Sequence, residues 1–269
     1  MNEPSLEALL KRDRAVVLVS LVATATLAWA YVIWLEARMS ASMPAAMPDM
    51  PGMAMGPAIR PWSGPELFFA FAMWAVMMVG MMLPSAAPMI LLYARVGRQA
   101  ESEGKPFAAT SWFAAGYLLA WTGFAAVASL AQAGLLAASL VTPMLVSANN
   151  AFGGIVLIAA GLYQWTPAKN ACLSSCQSPF AFIQRHGGFK RDARGALRLG
   201  LRHGLYCIGC CWALMALLFV GGVMNLLWIA LLSVWVLLEK AVLTGRVMSR
   251  AVGLALVTLG LIFLYRTVT

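Results

Sequence analysis

The stretch LRHGLYCIGCCWALM, Leu201 to Met215, places Cys207, Cys210 and Cys211 within five residues. On a helix these are positions i, i+3 and i+4, so the three thiols share one face. A second cluster, Cys172 and Cys176, lies upstream in CLSSC. If that segment is helical the pair also faces one way, and Pro179 limits how far such a helix runs. Thiolates are soft ligands, suited to copper(I), zinc(II) or an iron–sulfur cluster. Two facing thiol pairs can supply a tetrahedral four-sulfur shell. The spacing is not that of a zinc ribbon. His203, one turn before Cys207, and His186 are candidate extra ligands, and His203 is the better placed.

Methionine offers a second soft donor. The run FAMWAVMMVGMMLPSAAPM sets Met73, Met77 and Met81 on one helical stripe, with Met78 and Met82 on another. Thioethers bind copper(I) without adding charge. Upstream, Met39, Met43, Met47, Met50, Met53 and Met55 recur every two to four residues in a segment rich in Pro and Gly. Together these residues suggest soft-metal capture, passage along a methionine helix and receipt by thiolates. Methionine is also a flexible gap-filler, and packing is the favoured reading for the five helical methionines. Pro84 and Pro88 free the carbonyls of Gly80 and Pro84. Such breaks mark substrate sites in some transporters, and a simple kink is the alternative.

The elements that must position these donors follow from composition. The chain has 269 residues, of which 62% are hydrophobic and only 11% charged. A soluble domain carries about a quarter charged residues, so the expected class is an all-α, polytopic transmembrane helix bundle. Seven spans are expected: 15–35, 67–93, 111–138, 147–165, 205–223, 225–239 and 251–265. The chain reads as a single membrane domain over 1–269. Within it, 1–35 is an N-terminal anchor, 36–65 a Met- and Pro-rich outer loop, 66–245 the core and 246–269 the last span.

Charge sets the expected orientation. Lys and Arg fall in alternate connections, sixteen on one side and three, Arg38, Arg60 and Arg266, on the other. The positive-inside rule then puts the N-terminus in the cytoplasm and the C-terminus outside. The net charge of +9 serves this topology, and no pattern of basic and aromatic residues suggests nucleic acid. The segment 166–204 reads as a long basic inner loop. Within it, Lys190, Arg194, Arg198 and Arg202 would form a basic stripe on a helix, suited to anionic inner-leaflet headgroups. Both thiol clusters then lie at the cytoplasmic face. Five cysteines grouped there favour metal binding over redox thiol chemistry and over packing, since disulfides persist on the oxidising side.

Among polar residues, Glu239 and Lys240 end the sixth span. Adjacent helical residues point about 100° apart, so the two are not expected to pair. Glu239 could neutralise a cation at the thiol site or bond Arg202 or His203. Glu66 stands at the outer mouth of the methionine helix. Gln132, Asn150 and Asn225 read as helix-contact or interfacial groups.

The stretches MWAVMMVGMMLPSAAPM, CLSSCQSP, GLRHGLYCIGCCWALM followed by GGVMNLLW, and LLEKAV carry a resemblance. Over roughly residues 66 to 245 the chain resembles a family of bacterial integral membrane proteins known as predicted metal-binding membrane proteins (DUF2182). The resemblance implies metal binding at a bacterial inner membrane and names no metal. It makes Cys172, Cys176, His203, Cys207, Cys210, Cys211, Glu239 and Lys240 the candidate functional positions. The expected function is copper(I) transport or delivery, to a metal chaperone or assembly partner. The alternatives are a membrane thiol–disulfide oxidoreductase and a non-catalytic, metal-holding assembly factor. No nucleophile–base pair, phosphate loop or carboxylate dyad argues for catalysis.

Overall fold

The structure, a computed structural model, describes residues 3–41, 62–142, 146–242 and 244–268. These form ten helices in chain order: α1 (Glu3–Ala41), α2 (Gly64–Ser102), α3 (Thr110–Ala137), α4 (Asn150–Tyr163), α5 (Pro167–Gln177), α6 (Pro179–Arg185), α7 (Ala193–Ala216), α8 (Leu218–Gly221), α9 (Leu226–Ala241) and α10 (Gly245–Val268). Among the described residues there is no strand, only an isolated bridge between Val141 and Ser147. The all-α expectation therefore holds.

The span count differs from the expected seven. Among the described residues, five stretches are long and apolar enough to cross a membrane: Ala15–Arg38, Gly64–Ser102, Thr110–Ala137, Ala193–Gly221 and Gly245–Thr267. The pair α4 and α5 makes a sixth only if counted together across a 65° bend. Proline explains the bend. Pro167 has no N–H and holds Thr166 in extended backbone, at φ −70° and ψ 145°. Thr166 then caps the new helix, its Oγ1 accepting from the Lys169 N–H at 3.2 Å. Helix α9 has 16 residues. At about 1.5 Å per residue it is shorter than the roughly 30 Å hydrocarbon layer.

The expected basic loop at 166–204 is mostly helix. It holds α5, α6 and the first three turns of α7, which begins at Ala193 rather than at 205. Asp192 caps α7 by accepting from the Gly195 N–H at 2.9 Å. Arg194, Arg198 and Arg202 are exposed along one side, while Ala196, Leu199, Gly200, His203 and Gly204 are buried on the other. The four-residue recurrence was therefore a helix signal. Low hydropathy hid it from a search for apolar spans. Helix α2 likewise runs unbroken through Pro84 and Pro88 to Ser102.

Two glycine-mediated contacts bring helices close, one of them between site helices. Gly200 and Gly204 of α7 lie against the backbone of Phe113 and Tyr117 in α3, and Gly116 lies against Leu197. A Cβ at Gly204 would stand 2.5 Å from the Ala120 Cβ, which no side chain tolerates. Helices α4 and α10 meet in the same way, Gly154 against Gly260 and Gly161 against Gly253. Small residues let helix backbones approach closely where packing drives association.

Polar residues in the bundle are mostly structural. Gln132 accepts from Trp74 Nε1 at 2.6 Å, both buried, joining α3 to α2. Asn225 caps α9. Asn149 caps α4, and Asn150 is its first residue. Glu66 accepts from the N–H and Oγ of Ser63 at 2.6 and 2.8 Å, which secures the start of α2. Met43, Met47, Met50, Met53 and Met55 lie outside the described residues, as does the side chain of Met39.

Candidate functional site

Five helices converge on the thiols. Helix α7 supplies Cys207, Cys210 and Cys211, all buried. The sulfurs of Cys210 and Cys211 each donate to the Cys207 carbonyl at 3.0 Å, one turn back. Helix α5 packs alongside and brings Cys176 Sγ to 4.0 Å from Cys210 Sγ. Cys207, buried one turn before Cys210 and Cys211, stands beside that pair. All five cysteines are free thiols.

Cys172 takes a different position. It is only half-buried and packs over Gly209, where an added Cβ would stand 2.7 Å from its sulfur. The same stretch of α7 is also held from α4, Tyr163 Oη donating to the Gly209 carbonyl at 2.5 Å. The two pairs therefore do not close into the four-sulfur shell expected from the sequence. Among the described residues no three or more His, Cys, Asp or Glu side chains are grouped so as to hold a metal ion. A close pair with Cys207 beside it is the arrangement present.

Three further helices furnish Cys207's polar neighbours. Lys240 of α9 is buried, and its Nζ donates to Cys207 Sγ at 2.9 Å and to Ser85 Oγ at 3.1 Å. Tyr117 of α3 lies 3.1 Å from the same sulfur and donates its hydroxyl to the Met82 carbonyl at 3.0 Å. Ser85 and Met82 belong to α2. A buried ammonium is tolerated only where hydrogen bonds and a counter-charge meet it, and the Cys207 sulfur is the group at hand.

Glu239, the neighbour of Lys240, faces elsewhere. It pairs with Lys169 of α5 at 2.7 Å, both fully buried, and also accepts from Ser249 of α10. Lys169 further donates to Gln164. The partners of Glu239 are thus Lys169 and Ser249 rather than the expected Arg202 or His203. This pair fastens α5, which carries Cys176, to α9, which carries Lys240.

His203 is buried one turn before Cys207, enclosed by the rings of Phe113, Tyr117 and Phe182 at 6.0, 5.8 and 5.1 Å. Its Nδ1 finds no hydrogen-bond partner among the described residues. His186 stacks on Phe182 and bonds that residue's carbonyl through Nδ1 at 2.8 Å.

The methionines Met73, Met77, Met78, Met81 and Met82 are all buried. The stripe Met73, Met77 and Met81 continues in four-residue steps to Ser85 and Met89, so its lower end adjoins Lys240. Sequence reasoning missed Ser85, Tyr117, Lys169 and Ser249. The first two read as ordinary residues of apolar helices, and Lys169 as one of seven charges in a basic loop. Nothing in their local sequence marks them.

An all-helical chain with helices of membrane-crossing length, gathered around buried soft donors, defines the class. Its sequence matches a family described as copper chaperone (PpoB2) over residues 71–263, and the chain belongs to that family. The match covers all five cysteines and runs from within α2 to within α10, which supports a copper-related family. Neither the curated proteins nor the solved structures yield a match.

Proposed function

We propose that this protein binds copper(I) within the bacterial inner membrane and hands it to a partner. The ion is cargo. It is collected by methionine thioethers along α2 and held by the thiols of α5 and α7. The observation that carries this reading is the meeting of Cys176 and Cys210, 34 residues apart in sequence, at 4.0 Å. Two thiolates binding one metal at about 2.3 Å each need sulfurs no more than about 4.6 Å apart. Structural zinc sites take four ligands and iron–sulfur clusters four cysteines, whereas this site offers a close pair and one neighbour. Thiolates and thioethers are both soft donors that suit copper(I). The family description supports the same metal.

The test is direct. Purified full-length protein in detergent, titrated with copper(I) under reducing conditions, is expected to bind one ion per chain. A protein that takes up none ends the proposal.

The same reading sets the N-terminus inside, with Arg194, Arg198 and Arg202 at the anionic inner-leaflet surface. Cys207 then lies five residues beyond Arg202, about 8 Å along the helix axis and within the membrane rather than at its mouth. Cys172, part-exposed like Cys176, is expected to react with a membrane-impermeant maleimide only after the cytoplasmic side is opened. Labelling of Cys172 in intact cells would reverse the orientation and the direction of the methionine path.

A further inference from the structure

Three charged side chains are buried among the described residues: Lys169, Glu239 and Lys240. The first two neutralise each other at 2.7 Å. Lys240 is left over, and its ammonium points at the thiol cluster, 2.9 Å from Cys207 Sγ. Its other hydrogen-bond partner, Ser85, is neutral. Among the described residues, Lys240 is therefore the one buried cation left for the cluster and its cargo to balance.

The geometry points to Lys240 as the residue that makes this site selective for monovalent over divalent metal ions. The inference rests on the copper(I) reading and deepens it. A monovalent ion held by two thiolates, Cys207 and either Cys176 or Cys210, leaves one negative charge, the third cysteine staying a neutral thiol. Lys240 cancels that charge. A divalent ion on the same two sulfurs is already neutral, and Lys240 then remains as an unbalanced buried cation. Unbalanced charge in an apolar interior is costly, so the lysine penalises zinc(II) and favours copper(I) or silver(I). Divalent first-row ions otherwise compete well for thiolates. A charge filter discriminates where softness alone does not.

Two variants of the full-length protein test this, with silver(I) and zinc(II) as probes measured by chelator competition. Lys240→Gln removes the charge, and Ser85→Asp sets a carboxylate against the intact lysine. Both are expected to weaken silver(I) and strengthen zinc(II), moving the affinity ratio on the order of a hundredfold. Lys240→Arg, which keeps the charge, is expected to retain the wild-type order. Ser85→Asp carries the test alone if Lys240→Gln does not purify as folded protein. Variants that keep the wild-type ratio overturn the role of Lys240. Wild-type protein that binds neither silver(I) nor copper(I) overturns instead the copper(I) reading on which it rests.

Discussion

Replacing Cys176 and Cys210 together with serine is expected to abolish tight copper(I) binding and leave the bundle folded. The weakening should exceed about a thousandfold, or roughly 4 kcal/mol. The reason lies in the donors. A serine hydroxyl at both positions is hard and neutral, and a soft monovalent ion prefers sulfur. The fold should survive because the local bonds survive. Cys210 Sγ donates to the Cys207 carbonyl at 3.0 Å, and a serine hydroxyl on the same turn can make that bond too. Cys172→Ser is the internal comparison. Cys172 packs over Gly209, while the close partner of Cys210 is Cys176, so its loss is expected to weaken copper binding less than about tenfold. Copper titration of the three proteins, with size-exclusion profiles to confirm folding, decides the matter. An equal effect of Cys172→Ser would move the site toward that residue, and full retention of binding by the double variant would remove the thiols from the site.

Breaking the buried ion pair is expected to be the most destabilising single change in the bundle. Lys169 and Glu239 are fully buried and 2.7 Å apart. Glu239→Leu strands an ammonium, and Lys169→Met strands a carboxylate. Each should cost about 3–5 kcal/mol, because an unpaired charge remains in an apolar interior. The double variant removes both charges and is expected to recover most of that loss. Thermal unfolding in detergent reads the cycle. Additive losses would show that the two groups act separately. The pair also joins α5 to α9, so each single variant should loosen the placement of Cys176 against Cys210. Copper affinity should fall in the single variants and return in the double one.

The sequence alone determined what depends on periodicity and residue chemistry. It specified an all-helical architecture, because its apolar runs have the length and composition of membrane-crossing helices. It put Cys207, Cys210 and Cys211 on one face, because helical positions i, i+3 and i+4 always share one. It showed that Glu239 and Lys240 diverge, and that the donors are soft. The four-residue basic recurrence was legible too, though hydropathy hid that it opens the same helix as the thiols.

Tertiary structure decided which donors meet. Cys172 and Cys176 sit one turn apart on α5, yet Cys176 reaches Cys210 while Cys172 rests over Gly209. That outcome depends on the 65° bend at Pro167 and on how α5 is rotated against α7. Glycine contacts between α3 and α7 bring Tyr117 to Cys207. Lys240 finds Ser85, 155 residues away, and Glu239 finds Lys169, on another helix. No local pattern encodes such pairings. They arise because every buried charge must find a partner, and only the packed helices determine which partners are within reach.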